Sequence, residues 1–109
     1  MTKNEERIAR LKNIVLNTPE CPGCYQYFDK DRNIIYVGKA KNLKRRVSSY
    51  FLKTVDRRKT QILVSKIEDI NYVIVPTDED ALLLENSLIK KFKPKYNILL
   101  KDDTSSWQP

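Results

Sequence analysis

The side chains best suited to chemistry lie in one stretch of the first half of the chain, where tyrosines and glycines lead into a basic run. Tyr25 lies two residues after a glycine, and Tyr36 lies two residues before another, which Lys39 follows directly. Arg46 and Tyr50 come next, in a segment predicted to be a basic helix. Phenol, ammonium and guanidinium groups that converge can hold a phosphodiester and stabilise charge developing on it. The stretch therefore predicts a phosphate site.

The absence of histidine narrows the chemistry. It excludes a histidine general base, a metal site built on paired histidines and a Ser-His-Asp triad, so catalysis must use carboxylate, phenol, ammonium or guanidinium groups. Tyr25, Tyr27 and Tyr36 also fit an ordinary hairpin, because aromatic residues are common in strands. Strand propensity alone favours that structural role, and the basic helix is what favours a phosphate site.

A β-hairpin and the helix after it must position these groups. Segments 24–28 and 34–38 are rich in β-branched and aromatic residues and flank the polar run DKDRN, which predicts a hairpin with a short loop. Asn42 is the expected N-cap of the following helix. Arg46 lies at the edge of an apolar stripe on that helix, which consists of Leu43, Val47, Tyr50 and Phe51.

The register of the hairpin decides whether two phenols can share one phosphate. Side chains alternate between the faces of a strand, so a slip by one residue moves every side chain to the other face. We expect Tyr25 directly across from Tyr36, with a loop at 29–32 or a bulge that has the same effect. Both hydroxyls should then lie on the same face as Lys39 and point toward Glu85.

The whole pattern predicts a small α+β domain with a three-stranded, mostly antiparallel sheet flanked by helices. The expected order is α-β-β-α-α-β-α, with the hairpin pairing to the third strand. Thr77 should cap the last helix, and Pro94 should end it. The other expected elements are a helix at 4–17, a helix at 56–67 capped by Asp56, a strand at 71–75 and an extended segment at 95–100.

Glu85 has an unusual position in a helical-wheel projection of the predicted last helix. It falls within the apolar arc that should face the core. A carboxylate directed into a core is costly unless a cation or strong donors meet it. From the residues alone, a salt bridge to Lys39 or Arg46 and a metal site are equally good explanations. The arc consists of Ala81, Leu82, Leu84, Leu88, Ile89 and Phe92.

Two longer motifs carry a resemblance to a known family. One runs from PG-x-Y through GKAKNL to the SY of the basic helix, and the other is LLLENSLIKKFKPKYNILLKDD. Over residues 14–104 the chain resembles the GIY-YIG nuclease domain of the UvrC family, which acts in nucleotide excision repair. Cys24 and Val37 stand where the motif that names the class has isoleucine, and both are small apolar strand residues.

The resemblance implies a metal-dependent endonuclease that hydrolyses one DNA phosphodiester on the 3′ side of a lesion. It makes Glu85 the ligand of one Mg²⁺ or Mn²⁺ ion, which acts as a Lewis acid. Arg46 would neutralise charge on the phosphoryl oxygens, and Lys39 would lie near the nucleophilic water.

A tyrosine would be the general base in that reaction. Because a free phenol has a pKa near 10, it needs nearby positive charge to act at neutral pH. Tyr36 is the first choice and Tyr25 the second, and the sequence does not separate them. By the same resemblance, Tyr50 and Asn97 would orient their neighbours in the active site.

The net charge supports an anionic partner. Twenty-one Lys and Arg against fourteen Asp and Glu give +7, which favours nucleic acid. The resemblance implies damaged double-stranded DNA and UvrB, in the UvrB–DNA complex, as partners of a domain that is monomeric in isolation. The residues expected to contact DNA lie in two basic regions and are Lys39, Lys41, Lys44, Arg45, Arg57 and Arg58.

Bulk properties set the remaining expectations. A length of 109 residues predicts one domain over 1–109, and a tail without a predicted element suggests an N-terminal fragment of a longer chain. The sequence has no apolar run long enough to span a membrane and no signal peptide, so we expect a cytoplasmic protein. Cys21 and Cys24 form a C-x-x-C pair with no further zinc ligands, so reduced structural cysteines are expected.

Two other functions stay open. A non-catalytic nucleic-acid-binding module of the same fold would keep the basic surface but could dispense with Glu85. A stand-alone GIY-YIG endonuclease would differ in the runs GKAKNL and KPKYNILLKDD. The carboxylate and both runs are present, which favours the repair endonuclease.

Overall fold

The computed structural model describes residues 2–51 and 58–98, with the side chains of residues 58 and 59 left aside. The observed order of elements is the predicted one, and the predicted α+β class is confirmed. None of the described helices is both long and apolar enough to cross a membrane. The elements are α1 (Lys3–Leu16), β1 (Gly23–Phe28), β2 (Ile34–Ala40), α2 (Leu43–Ser49), α3 (Arg58–Lys66), β3 (Asp69–Ile74) and α4 (Asp78–Phe92).

The sheet has the order β2-β1-β3, and both pairings are antiparallel. The first strand is therefore central, and the hairpin pairs with the third strand as predicted. Because β2 is an edge strand, one side of its backbone is free for partners other than a strand. This edge is where the candidate site lies.

The hairpin register differs from the predicted one. Tyr27, not Tyr25, lies directly across from Tyr36, and Tyr25 lies across from Gly38. The loop has five residues, 29–33, because Asp29 accepts from the backbone N–H groups of residues 31 and 33. A register shift between Tyr27 and Phe28 then returns Tyr25 and Tyr36 to the same face of the sheet. Direct pairing of Tyr25 with Tyr36 was wrong, but their predicted placement on one face is confirmed.

The two faces of the sheet carry different side chains. Tyr25, Tyr27 and Tyr36 share one, which we call the phenol face, and α1 and α2 contribute to the core on that side. Lys39 lies across from Cys24 and so belongs to the opposite face, which we call the α4 face. The prediction that Lys39 shares a face with the phenols was wrong, because residues 36 and 39 differ by an odd number.

Both predicted helix caps that position the site are confirmed. Asn42 Oδ1 accepts from the Arg45 backbone N–H at 3.0 Å, and Thr77 Oγ1 accepts from that of Asp80 at 3.1 Å. The turn before β1 completes the first of these caps, because the carbonyl of Cys21 accepts from the Leu43 N–H at 2.9 Å. The predicted apolar stripe of α2 is confirmed, since its buried side chains are Leu43, Val47 and Tyr50, with Phe51 partly buried.

The C-terminal part of the described chain corrects two expectations. The apolar arc of α4 is only partly covered: Ala81 is buried, but Leu82 and Phe92 are 43% and 45% exposed. Residues 95–98 form a helical turn closed on the Pro94 carbonyl, and not an extended segment. A proline that ends one helix supplies no N–H, but its carbonyl is free to start the next turn. The expected cap Asp56 lies outside the described residues.

Candidate active site

A cluster of four tyrosines is the centre of the site. The rings of Tyr25, Tyr27, Tyr36 and Tyr50 lie with all centroid separations between 5.2 and 6.2 Å. The first three come from the hairpin and Tyr50 comes from the end of α2. Tilted and edge-on rings at such separations attract one another, so the phenol face is a packed unit and not a set of independent side chains.

Hydrogen bonds join three of these phenols to an arginine. The Tyr25 and Tyr50 hydroxyls are 2.8 Å apart, and Tyr36 is a further hydrogen-bond partner of Tyr50. Arg46 Nε donates to the Tyr25 hydroxyl at 3.3 Å, and its guanidinium carbon lies 5.4 Å from the centre of the Tyr50 ring. The network therefore carries a fixed positive charge at one end.

Gly38 allows the cluster to form. An added Cβ at this position would overlap the Tyr25 ring and hydroxyl. The backbone of Gly38 is not left-handed, so the requirement is for space alone. The glycine of β2 thus leaves room for the Tyr25 ring of β1.

The phenols hold their protons firmly. Burial is the main reason that the pKa values of Tyr25, Tyr36 and Tyr50 are raised above the ordinary phenol value. The charge of Arg46 acts in the opposite direction on each of them. Tyr25 is almost fully buried, whereas Tyr36 remains half-buried at the sheet edge and accessible to solvent.

Glu85 lies half-buried beside the backbone of β2. Burial raises the pKa of the Glu85 carboxyl, while the charge of Lys39 and a hydrogen bond from the Lys39 backbone N–H act against that rise. The Lys39 ammonium itself makes an ion pair with Asp78, with Nζ 3.4 Å from Oδ1. The salt bridge that the sequence left open for Glu85 is therefore replaced by a contact with the Lys39 backbone.

A half-buried carboxylate whose pKa is raised by burial fits a divalent cation. The described residues contain no group of three or more acidic, cysteine or histidine side chains that could enclose a metal. Mg²⁺ does not need such a cage, because it commonly keeps several waters and binds through one or two carboxylates and substrate oxygens. Since burial disfavours the charged form of Glu85, a bound cation would also restore its charge.

Asn97 binds the free edge of β2. Its side-chain Oδ1 accepts from the Val37 N–H at 2.7 Å, and its Nδ2 donates to the Val37 carbonyl at 2.8 Å. These bonds hold the strand between Tyr36 and Gly38. The expectation that Asn97 surrounds the site agrees with this position, and its contact is with backbone.

The predicted DNA contacts fall partly within one pocket of about 460 Å³ at this edge. Lys44 lies on the same helix but is not among the residues that line the pocket. Arg57 and the side chain of Arg58 lie outside the described part of the chain. The lining residues are Lys39, Ala40, Lys41, Asn42, Arg45, Arg46, Ser49 and Asp78.

The two cysteines are free thiols with different exposure. Cys24 is fully buried and Cys21 is half-buried. Burial is the main cause that raises the pKa of the Cys24 thiol to about 11, so it stays protonated at neutral pH. A protonated buried thiol behaves as a small apolar side chain.

Two residues of the site were missed by sequence reasoning. Tyr27 shares the phenol face because it lies two residues after Tyr25, and this alternation was a usable signal. Asp78 lies seven residues before Glu85, close to two full turns, so both carboxylates project from one side of α4. The spacing was visible, but the contact with Lys39 joins elements far apart in the sequence.

The three-stranded antiparallel sheet and its flanking helices have the arrangement of the GIY-YIG class that the sequence predicted. The family model for the UvrC-like GIY-YIG domain matches residues 21–98, and the chain belongs to this family. The UvrABC system protein C of Bacteroides thetaiotaomicron is 66% identical over 93 residues, which cover 85% of this chain and 15% of that protein. That of Porphyromonas gingivalis is 66% identical over 91 residues, covering 83% and 15%.

Solved structures show the same fold. The GIY-YIG N-terminal endonuclease domain of UvrC from Thermotoga maritima, bound to its catalytic magnesium, matches with a TM-score of 0.73 and 31% identity. The match covers 88% of this chain and 98% of that one. Further structures of that domain with its catalytic cation carry a tyrosine-to-phenylalanine or an asparagine-to-alanine change. The chain described here spans about 15% of the length of the curated relatives.

Proposed function

We propose that this domain is a divalent-metal-dependent DNA endonuclease that hydrolyses one phosphodiester on the 3′ side of a lesion in nucleotide excision repair. The observation that carries the proposal is the meeting of two unlike groups at the edge of β2. A partly exposed tyrosine, Tyr36, lies in a network ending in Arg46, and the half-buried Glu85 lies beside the same strand.

Glu85 would hold one Mg²⁺ or Mn²⁺ ion through a single carboxylate. When bound, such an ion supplies Lewis-acid stabilisation of charge on phosphate oxygens. The raised pKa of Glu85 and its N–H donor from Lys39 support this role. The magnesium-bound relative at 31% identity supports it independently.

Tyr36 is favoured over Tyr25 as the general base. A base must reach the water whose proton it takes, and Tyr36 is accessible whereas Tyr25 is 1% exposed. Tyr25 is also occupied by hydrogen bonds with Tyr50 and Arg46. We therefore assign Tyr25 and Tyr50 the role of orienting Arg46 and Tyr36. Because burial raises the Tyr36 pKa, the base needs the positive charge of its neighbours to work at neutral pH.

Arg46 and Lys39 would act on the substrate phosphate. Arg46 lies both at the phenol network and in the pocket wall, so the guanidinium nitrogens that have no partner among the described residues would face phosphoryl oxygens. Lys39 lines the same pocket from the other side, next to Glu85. Asn97 would keep the strand between Tyr36 and Gly38 in place.

The substrate we propose is damaged double-stranded DNA presented by UvrB in the cytoplasm, with this domain acting as a monomer. Lys41 and Arg45 line the pocket beside Lys39 and would contact flanking phosphates, and Lys44 would extend that surface along α2. Arg57 and Arg58 remain candidates for the same surface.

The deciding experiment is incision of a lesion-bearing duplex loaded with UvrB, with and without Mg²⁺, using the parent chain and Glu85→Gln. We expect metal-dependent incision by the parent and loss by a factor on the order of 10³ in the variant. Glu79→Gln is the matched control, because Glu79 is exposed on the same helix. DNA binding with equal incision by Glu85→Gln would favour a non-catalytic binding module.

A further inference from the structure

The Lys39–Asp78 ion pair lies where a phosphate would have to bind. Four cations and Asp78 line the pocket, and Asp78 is the one carboxylate among its described lining residues. Its carboxylate reaches Lys39 across the pocket from the first turn of α4. A phosphate that contacted Lys39 would therefore meet a negative charge already paired with that ammonium.

The geometry of α4 fixes this arrangement. Asp78 and Glu85 are seven residues apart, which places them about two turns apart on one side of the helix. Lys39 is a neighbour of both, since its ammonium pairs with Asp78 and its charge acts on Glu85. The strand that carries Tyr36 thus has both carboxylates next to it, with different parts of one lysine as their partners.

The pair is of a kind that exchanges readily. The side chains of Lys39 and Asp78 are 34% and 40% exposed, and the 3.4 Å separation is that of an ordinary surface ion pair. Exposed pairs of this kind contribute little, because water and salt screen them. An entering phosphate can therefore take Lys39 without disturbing the fold.

We propose that Asp78 is an internal competitor of the DNA phosphate. In the DNA-free domain it occupies Lys39, and binding of DNA replaces the carboxylate by a phosphate oxygen. Asp78 is thus a positioning residue that acts through Lys39 and weakens binding of DNA by the free domain. The proposal rests on the proposed function only in taking DNA as the ligand.

The test is a double-mutant cycle on equilibrium binding of a short DNA duplex in the absence of divalent metal. Asp78→Asn should tighten binding by about threefold to fivefold, and the slope of log K against log salt should steepen by about one counterion. Glu79→Gln removes the same charge from the same helix turn and should have a smaller effect. In a Lys39→Met chain the excess effect of Asp78→Asn should disappear.

Two results would overturn the proposal. One is an equal effect of Asp78→Asn and Glu79→Gln, which would mean that only total charge matters. The other is an excess that persists in Lys39→Met. Asp78→Ser serves as a second variant if the asparagine chain misfolds by circular dichroism.

Incision kinetics separate this proposal from the proposed function. With loaded DNA, Asp78→Asn should lower KM by about the same factor as it tightens binding, because the competitor is displaced before the chemical step. A loss of kcat would instead make Asp78 part of the catalytic site and would contradict the proposal. If the chain binds DNA as described but shows no incision, the proposed function fails while the role of Asp78 stands.

Discussion

The two faces of the sheet are built in different ways, and the candidate site takes groups from both. On the phenol face, Tyr25 and Tyr27 are fully buried and fixed by ring contacts, and a hydrogen bond to Tyr50 also holds Tyr25. On the α4 face, Glu85 and Lys39 are half-buried, and Leu83 of the covering helix is 65% exposed. The phenols are therefore held rigidly, while the charged groups opposite them can exchange partners. This combination suits the proposed function, in which a fixed phenol acts on a phosphate that displaces other partners of the charged groups.

Among the variants that compare the two faces, the largest expected effect concerns Arg46, which links the phenol face to solvent. Arg46→Ala should slow incision by about 10²-fold, the scale typical of losing one charge-stabilising donor. Folding should survive, because Tyr25 keeps its bond to Tyr50 and Arg46 is itself exposed. Incision assays and a thermal melt on the same preparation measure both properties. Equal rates for the variant and the parent would remove Arg46 from the mechanism.

A second prediction tests how tightly the phenol face is packed. Gly38→Ala should destabilise the fold by about 1–3 kcal/mol, because the new methyl group overlaps Tyr25 and the strand must shift. Leu83→Ala on the exposed side of α4 is the contrasting variant and should stay within about 0.5 kcal/mol of the parent. Urea unfolding measures the change in the free energy of unfolding for both variants. The comparison between the faces fails if the two variants lose similar stability.

A third prediction concerns the hydroxyl of Tyr27, which is buried and has no hydrogen-bond partner among the described residues. Tyr27→Phe should stabilise the domain by about 1 kcal/mol, because an unpaired buried polar atom is removed. Tyr50→Phe, which loses a hydroxyl bonded to Tyr25, should lower stability instead. Differential scanning calorimetry distinguishes the signs. Destabilisation by both changes would mean that the Tyr27 hydroxyl has a partner.

The smallest expected effect is a pH-dependent contribution of Glu85 to the free energy of unfolding. Burial raises its pKa, so between the ordinary glutamate value and the raised value the folded state binds the proton more tightly than the unfolded state. The free energy of unfolding of the metal-free domain should fall as pH rises through that window. Glu85→Gln should remove this contribution, which is less than about 1 kcal/mol for a half-buried group. Identical pH profiles for the two chains would contradict it.

The elements were predictable because their signals are local. Asn42 and Thr77 were correctly identified as caps, since a cap bonds only to residues within its own first turn. The hairpin register was not predicted correctly, because it depends on how Asp29 folds the loop and on a bulge at Phe28. The helical turn at 95–98 was missed for a similar reason, as strand and helix propensities are close over so short a segment.

The site was harder to predict from the sequence than the fold. Composition and spacing pointed to phosphate and to Glu85, while the assignment to DNA repair came from family resemblance. The partner of Lys39 could not be read locally, because Asp78 lies 39 residues away along the chain. Which phenol is exposed to solvent also depends on packing. The greater exposure of Tyr36 than of Tyr25 was therefore visible only in the structure.

The hydrogen bonds of Asn97 have a consequence for how the chain reaches its native state. They join residues that are 60 positions apart, so they form only after much of the chain has been synthesised and collapsed. Until then the N–H and carbonyl of Val37 are available to any other extended chain. An edge strand in that condition is a template for aggregation, and a side-chain amide that mimics a neighbouring strand closes it. A nascent chain that stalls before residue 97 would therefore leave this edge open to aggregation.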